Sequence, residues 1–194
     1  MLRIAVAQFN ATVGDLTGNV ERIIACAAEA KARGAQVLLT PELALCGYPP
    51  EDLLLRPDFY RACSRALDDL AGRVEGIASG LAIVVGHPEE HAGRRYNAAT
   101  VIENGHKKAV YRKIRLPNYE VFDEMRYFDA GSEACVVTLG GVRCGINICA
   151  DIWEAGAAEL AHGAGAELLL VLNASPCHLE KRQQRAQVLG ERIA

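Results

Sequence analysis

The 194-residue sequence predicts an α/β domain built on a mixed sheet, and two features carry that prediction. Short apolar runs alternate with stretches whose apolar residues recur at helical spacing, as in parallel strands joined by helices. In the middle of the chain this alternation gives way to paired apolar runs around glycine turns, which is typical of antiparallel hairpins. Half of the residues are apolar (51%), enough to bury one sizeable core.

The first part of the chain predicts the order β-α-β-α-β. Strands are expected at the apolar runs 2–9, 36–40 and 81–85. Helices are expected where apolar residues share one helical face, at residues 20–30 and 59–70. A turn is expected at residues 14–18, Gly34 closes the first helix, and Pro41 stops the second strand.

The second part predicts two hairpins followed by α-β-α. Asn104-Gly105 is flanked by apolar runs at residues 98–103 and 106–116, and Gly140-Gly141 by runs at residues 136–139 and 142–149. A last strand is expected at residues 167–172, and a helix from residue 181 onward. Together these elements predict an α/β domain with a mixed sheet.

Charge and cysteine usage exclude several classes of protein. With 21 basic and 24 acidic residues the formal charge is −3, which argues against binding to nucleic acid or an anionic membrane. The seven cysteines match neither a secreted disulfide framework nor a structural zinc pattern, so we expect free thiols and no metal site. The first residues lack the long apolar stretch and the small-residue cleavage site of a signal peptide, and no run of the sequence resembles a membrane span or a phosphate-binding loop, so we expect a cytoplasmic protein.

Cys149 is the first candidate for chemistry. It ends an apolar run and is followed at once by Ala150-Asp151-Ile152-Trp153, which can open a helix. A nucleophile at such a turn is exposed at the sheet edge, with the next backbone N–H facing a developing oxyanion. The start of the helix is expected to favour the thiolate. A buried core cysteine is the open alternative.

A cysteine nucleophile needs a base, and the histidines are poor candidates. His87 follows a predicted strand in what we expect to be a solvated loop, and His162 and His178 lie in polar or loop settings. Glu42 follows the strand at 36–40, where ligands bind in α/β sheets, so it could meet Cys149 and accept the thiol proton.

Lys113 lies in a basic strand, from which its ammonium could balance the charge of a tetrahedral intermediate. The alternatives for Glu42 and Lys113, a loop carboxylate and a solvated cation, stay open at this point.

Three motifs together resemble the Glu, Lys and Cys motifs of the nitrilase (carbon–nitrogen hydrolase) superfamily. They are Pro41-Glu42-Leu43, Tyr111-Arg112-Lys113 and Ile148-Cys149-Ala150-Asp151-Ile152-Trp153. Residues 47–54, 116–124 and 173–176 are similar to the glutaminase domains of glutamine-dependent NAD(+) synthetases, so the resemblance covers essentially the whole chain.

This resemblance implies the architecture and the place of the chain in a larger protein. It implies a nitrilase-type α-β-β-α sandwich with mixed sheets, truncated at the C-terminus. Residues 1–194 would form the glutaminase domain of a homo-oligomer, incomplete at its C-terminal end. The ATP-dependent synthetase domain, which would use ATP, Mg²⁺ and deamido-NAD, is absent, and the glutaminase domain itself would need no cofactor or metal.

The resemblance also implies a role for each site residue. Cys149 would attack the side-chain amide of glutamine, Glu42 would be the general base, and Lys113 with the backbone N–H of Ala150 would stabilise the oxyanion. The residues expected to hold the α-amino and carboxylate ends of glutamine are Tyr119, Phe122, Glu124, Ser175 and Arg182. By charge, Arg182 suits the carboxylate and Glu124 the ammonium.

The sequence departs from the family pattern at one position, and two alternative functions stay open. Ala150 stands where the family commonly has Glu, although the backbone N–H that would bind the oxyanion is kept. A stand-alone amidase acting on another small amide or carbamoyl compound is the alternative within the superfamily. A catalytically silent domain is the alternative outside enzymes, and the intact set of Glu42, Lys113 and Cys149 argues against it.

Overall fold

The computed structural model describes residues 1–118, 122–175 and 181–193, and within them the strands form two sheets. The first sheet has the order β1-β2-β3-β4-β5 and contains Ile4–Val6 (β1), Val37–Leu39 (β2), Ala82–His91 (β3), Arg94–Glu103 (β4) and His106–Arg112 (β5). The second has the order β6-β7-β8 and contains Val136–Leu139 (β6), Val142–Ile148 (β7) and Leu168–Leu172 (β8).

Helices pack against both sheets. They are Leu16–Ala32 (α1), Pro57–Ala78 (α2), Ala150–Trp153 (α3), Ala157–Gly163 (α4) and Lys181–Ile193 (α5), with short 3₁₀ helices at Glu51–Leu55 and Glu124–Arg126. No helix in the described part of the chain is long and apolar enough to cross a membrane.

Both sheets are mixed. Strands β1, β2 and β3 run parallel, while β4 and β5 continue the first sheet antiparallel. In the second sheet β7 is antiparallel to β6 and parallel to β8. The single mixed sheet suggested by the order of elements is therefore two sheets, and the sandwich implied by the family resemblance is confirmed.

The apolar strand β3 shows how the layers are built. Ile83 and Val85 face the core shared with α1 and α2, whereas Ala82 and Val84 face the core between the sheets. Successive strand residues point to opposite faces, so a strand buried on both sides must be apolar throughout. On the outer face of the second sheet, Gly145 lets α4 approach closely.

Two predicted boundaries differ from the structure at the N-terminus. Residues 16–18, predicted as part of a turn, already belong to α1, because the Asp15 side chain caps the helix by accepting the Gly18 N–H at 2.9 Å. Strand β1 covers only residues 4–6 of the predicted run 2–9.

The expectation of a solvated loop at His87 was wrong. Strand β3 continues to His91, and His87 is buried with Nε2 2.7 Å from the Thr100 hydroxyl. Pro88 is tolerated because β2 pairs with β3 only as far as Val84, so the missing N–H of Pro88 removes no hydrogen bond to β2. Burial lowers the pKa of His87.

Candidate active site

Glu42, Lys113 and Cys149 each follow a strand of the sandwich. Glu42 comes three residues after β2, Lys113 directly after β5, and Cys149 directly after β7. All three are buried, with exposed fractions of 2%, 1% and 7%. The Nζ of Lys113 lies 2.6 Å from the Oε1 of Glu42, and both charges act on the Cys149 thiol. The structure therefore brings these three residues together.

Lys113 is held between two carboxylates. Besides Glu42, its ammonium contacts both oxygens of Glu124, at 2.8 and 2.9 Å. Burial lowers the pKa of Lys113, but the charges of Glu42 and Glu124 raise it more, so the net pKa lies above its ordinary value. Lys113 is therefore a buried positive charge held between two carboxylates.

Asn97 on β4 ties this ion cluster together and was missed by sequence reasoning. Its side-chain N–H groups donate to Glu42 at 2.8 Å and to Glu124 at 3.5 Å, and its backbone C=O accepts the Lys113 N–H at 2.8 Å. Its Oδ1 is buried and has no hydrogen-bond partner among the described residues. The available signal was a polar residue directly before the apolar run at residues 98–103.

Glu124 contacts Lys113 rather than standing free for a ligand. Its Oε1 also accepts the Tyr48 hydroxyl at 3.4 Å. Burial and the charge of Glu42 raise the pKa of Glu124 to about 7, while Lys113 lowers it. The contact of Glu124 with the ammonium of glutamine stays a prediction. In the structure the carboxylate of Glu124 contacts the ammonium of Lys113.

This raised pKa predicts an acid limb in the pH–rate profile. As the pH falls below about 7, Glu124 takes up a proton and its charge no longer holds Lys113 in place. We expect kcat/KM to fall on the acid side of that pH, and Glu124→Gln to remove the limb because glutamine does not titrate. A wild-type profile that is flat between about pH 6 and pH 8 would contradict this prediction.

Cys149 sits on a strained turn between β7 and α3. Its backbone has φ 44° and ψ −94°, which is unfavourable for a residue with a side chain. The turn is held by the Cys149 N–H, which donates to the Leu172 carbonyl at 2.7 Å. The Sγ lies 3.2 Å from the Ser175 hydroxyl.

The expected shift of Cys149 toward the thiolate was wrong. Burial and the charge of Glu42 raise the pKa of the thiol to about 12, and these effects outweigh the opposing charge of Lys113. Helix α3 has only four residues, too short for a substantial dipole. The sulfur is therefore a thiol at neutral pH and requires a base.

The structure describes only some of the other residues predicted to belong to the site. Ala150 is the first residue of α3, so its backbone N–H has no acceptor within the helix. Phe122 lines a cavity of about 370 Å³ together with Tyr48 and Glu124. Tyr119 lies outside the described residues, and Arg182 lies in α5 with its side chain outside the described part.

Glu42 also lines a larger cavity of about 770 Å³. Its wall includes Tyr48, Trp153, Asn173 and Arg185. No group of three or more potential metal ligands is found among residues 1–118, 122–175 and 181–193. The 770 Å³ cavity has room for a small organic molecule beside Glu42, and polar and aromatic side chains surround that space.

Comparison with protein families and curated proteins gives a consistent result. The carbon-nitrogen hydrolase family matches residues 3–194. The glutamine-dependent NAD(+) synthetase of Xanthomonas campestris pv. campestris is 49% identical over 194 residues, covering 98% of this chain and 34% of that protein. That of Thermotoga maritima is 42% identical, covering 97% and 33%. The chain spans about a third of the length of these relatives.

Solved structures share the fold. The glutamine-dependent NAD+ synthetase of Acinetobacter baumannii, solved with ADP, has a TM-score of 0.89 and 35% identity, covering 98% of this chain and 35% of that one. A mutant amidase from Nesterenkonia sp. AN1 has a TM-score of 0.84 and 28% identity, covering 99% and 74%. Its structure shows acrylamide added to its active site cysteine.

Proposed function

The chain belongs to the carbon-nitrogen hydrolase family, and on that basis we propose that it hydrolyses glutamine to glutamate and ammonia through a thioester on Cys149. The observation that carries the proposal is the buried contact between Glu42 and Lys113, with the thiol of Cys149 in the field of both charges. This arrangement would supply a base, a cation and a nucleophile in one buried site.

The proposed first half-reaction forms the thioester. Glu42 accepts the proton of the Cys149 thiol as Sγ bonds to the amide carbon. The carbonyl oxygen then carries a negative charge, which the Lys113 ammonium and the Ala150 N–H stabilise. Glu42 delivers its proton to the amide nitrogen, the C–N bond breaks, and ammonia leaves.

The second half-reaction releases glutamate. Water attacks the thioester carbon and gives a proton to Glu42. The C–S bond of the second tetrahedral intermediate breaks, the proton returns to Sγ, and glutamate departs. Two uses of the same carboxylate balance the protons, so the proposed cycle needs no further acid or base.

Glutamine as the substrate is supported by the similarity to NAD(+) synthetases over nearly the whole chain. We propose that the ammonia serves the ATP-dependent amidation of deamido-NAD to NAD, in a reaction that also uses Mg²⁺ and residues outside this sequence. On this proposal residues 1–194 are the glutaminase domain and need no cofactor of their own. We also propose a cytoplasmic location, since a catalytic thiol must stay reduced, and a homo-oligomer, as the family resemblance implies.

A substrate panel tests this proposal on the full-length protein. We expect ammonia release from glutamine and much slower release from acetamide, acrylamide and a carbamoyl amino acid. A stand-alone amidase is the second candidate, favoured by the Nesterenkonia amidase, of which the chain covers 74%. Turnover of simple amides without turnover of glutamine would support that candidate, and a folded protein inactive on all of them would indicate a silent domain.

The proposed role of Arg182 predicts a specific kinetic signature. If its guanidinium binds the glutamine carboxylate, Arg182→Ala should raise KM more than it lowers kcat, because that contact is the same in ground and transition states. Arg65→Ala, at an exposed position on α2, is the matched control. An equal fall in kcat and kcat/KM would contradict a role in binding.

A further inference from the structure

Asp151 is a buried carboxylate that takes no part in the proposed chemistry. It is 0% exposed and lies two residues after Cys149, in α3. It accepts four hydrogen bonds, from the backbone N–H groups of Ile114 (3.1 Å), Arg115 (2.8 Å) and Ile148 (2.9 Å) and from the Tyr111 hydroxyl (2.8 Å).

These donors lie in or directly after strands of both sheets, β5 in the first and β7 in the second. Oδ1 accepts the two N–H groups that directly follow Lys113, beyond the end of β5. Oδ2 accepts the N–H that directly precedes Cys149, at the end of β7. Lys113 and Cys149 come from different sheets, and this carboxylate connects the segment that carries one to the turn that carries the other.

The same carboxylate supports the strained turn. Its bond to Ile148 closes a loop of four residues around Cys149, whose φ is 44°. Four donors around one carboxylate can be satisfied only by an acceptor with two oxygens. An asparagine would turn an NH₂ group toward at least one of those donors and lose the connection on that side.

We propose that Asp151 is a positioning residue that sets the distance between the Lys113 ammonium and the oxyanion of the substrate bonded to Cys149. It acts through Lys113 and the turn and does not touch the substrate. This inference rests on the proposed function, because it assigns Asp151 to the same reaction.

The first test is Asp151→Asn in the full-length protein. We expect kcat for ammonia release to fall on the order of 100-fold, as for a misplacement of about 1 Å, with little change in KM. The matched control is Glu167→Gln, which alters a carboxylate that accepts the Arg143 N–H at the far end of β7. It should leave kcat unchanged, and an Asp151→Asn enzyme with normal kcat would overturn the proposal.

A double-mutant cycle separates positioning from general destabilisation. Lys113→Met should by itself cost at least about 100-fold in kcat through the loss of an oxyanion partner. If Asp151 acts by placing Lys113, adding Asp151→Asn to Lys113→Met should lower kcat clearly less than the roughly 100-fold expected in the wild type, and what remains reports on the turn that carries Cys149. Effects that multiply in the double variant would overturn the proposal, because a merely structural role does not depend on Lys113.

If Asp151→Asn does not fold, the same double-mutant cycle is measured with Tyr111→Phe in its place. It removes one donor and leaves the three backbone donors in place, so a smaller fall in kcat is expected with the same dependence on Lys113. Failure of the proposed function is seen separately, as wild-type protein that turns over another amide but not glutamine. The cycle is then measured with that amide and judged by the same outcomes.

Discussion

Replacing Cys149 with alanine is expected to reduce ammonia release from glutamine on the order of 10⁶-fold, to the background rate. Among the described residues, the nearest hydrogen-bonding group to the sulfur is the Ser175 hydroxyl at 3.2 Å, which is far less acidic than a thiol and cannot form a thioester. The substitution removes one buried atom and leaves the turn in place, so the thermal unfolding midpoint should change little. An enzyme-coupled ammonia assay and thermal unfolding measure the two quantities.

Cys135→Ala is the matched control for this prediction. Cys135 is half-buried just before β6, and the pKa of its thiol is raised by burial alone, without a contribution from the proposed catalytic residues. We expect wild-type activity from this variant. Measurable turnover by a folded Cys149→Ala protein would contradict the assignment of the nucleophile.

The second large effect is expected for Glu42→Gln. Glutamine has nearly the same shape and can still accept the Asn97 hydrogen bond, but it cannot take a proton from the thiol. Because general base catalysis contributes between about 100-fold and 10,000-fold, kcat should fall by that factor. Glu103→Gln, in the hairpin between β4 and β5, is the control and should keep full activity.

Glu42→Gln should also make the Cys149 thiol more acidic, even though the variant loses turnover. The charge of Glu42 helps to raise the pKa of Cys149 to about 12, so its removal should lower the thiol pKa. The pH dependence of alkylation of Cys149 by iodoacetamide should therefore move to lower pH while turnover is lost. A thiol pKa that stays the same or rises in Glu42→Gln would contradict the arrangement of charges described here.

The positions of the candidate residues followed from local pattern. Glu42 and Cys149 could be identified at strand ends because each follows an apolar run. A strand buried on both faces contains almost only apolar residues, so the first charged or nucleophilic residue after it marks its end. The division into two sheets did not follow, since pairing between distant strands leaves no periodic mark in the sequence. Only the family resemblance suggested it.

The electrostatics of the site were also beyond local pattern. Asn97 bonds a carboxylate 55 residues away, and Asp151 bonds the N–H of Arg115, 36 residues away. The raised pKa of Cys149 depends on burial and on Glu42, 107 positions earlier in the chain. In each case the polar side chain is identified by the sequence, but its partner is set by how the strands pack.

The most direct test of the account is to trap the acyl-enzyme. Full-length protein is mixed with glutamine, quenched in acid within the first turnovers, and digested for peptide mass mapping. The account predicts a glutamyl adduct on the peptide that contains Cys149, absent in Cys149→Ala and released as the hydroxamate by hydroxylamine. Ammonia release at the normal rate with no adduct on Cys149, or with the adduct on another residue, would contradict it.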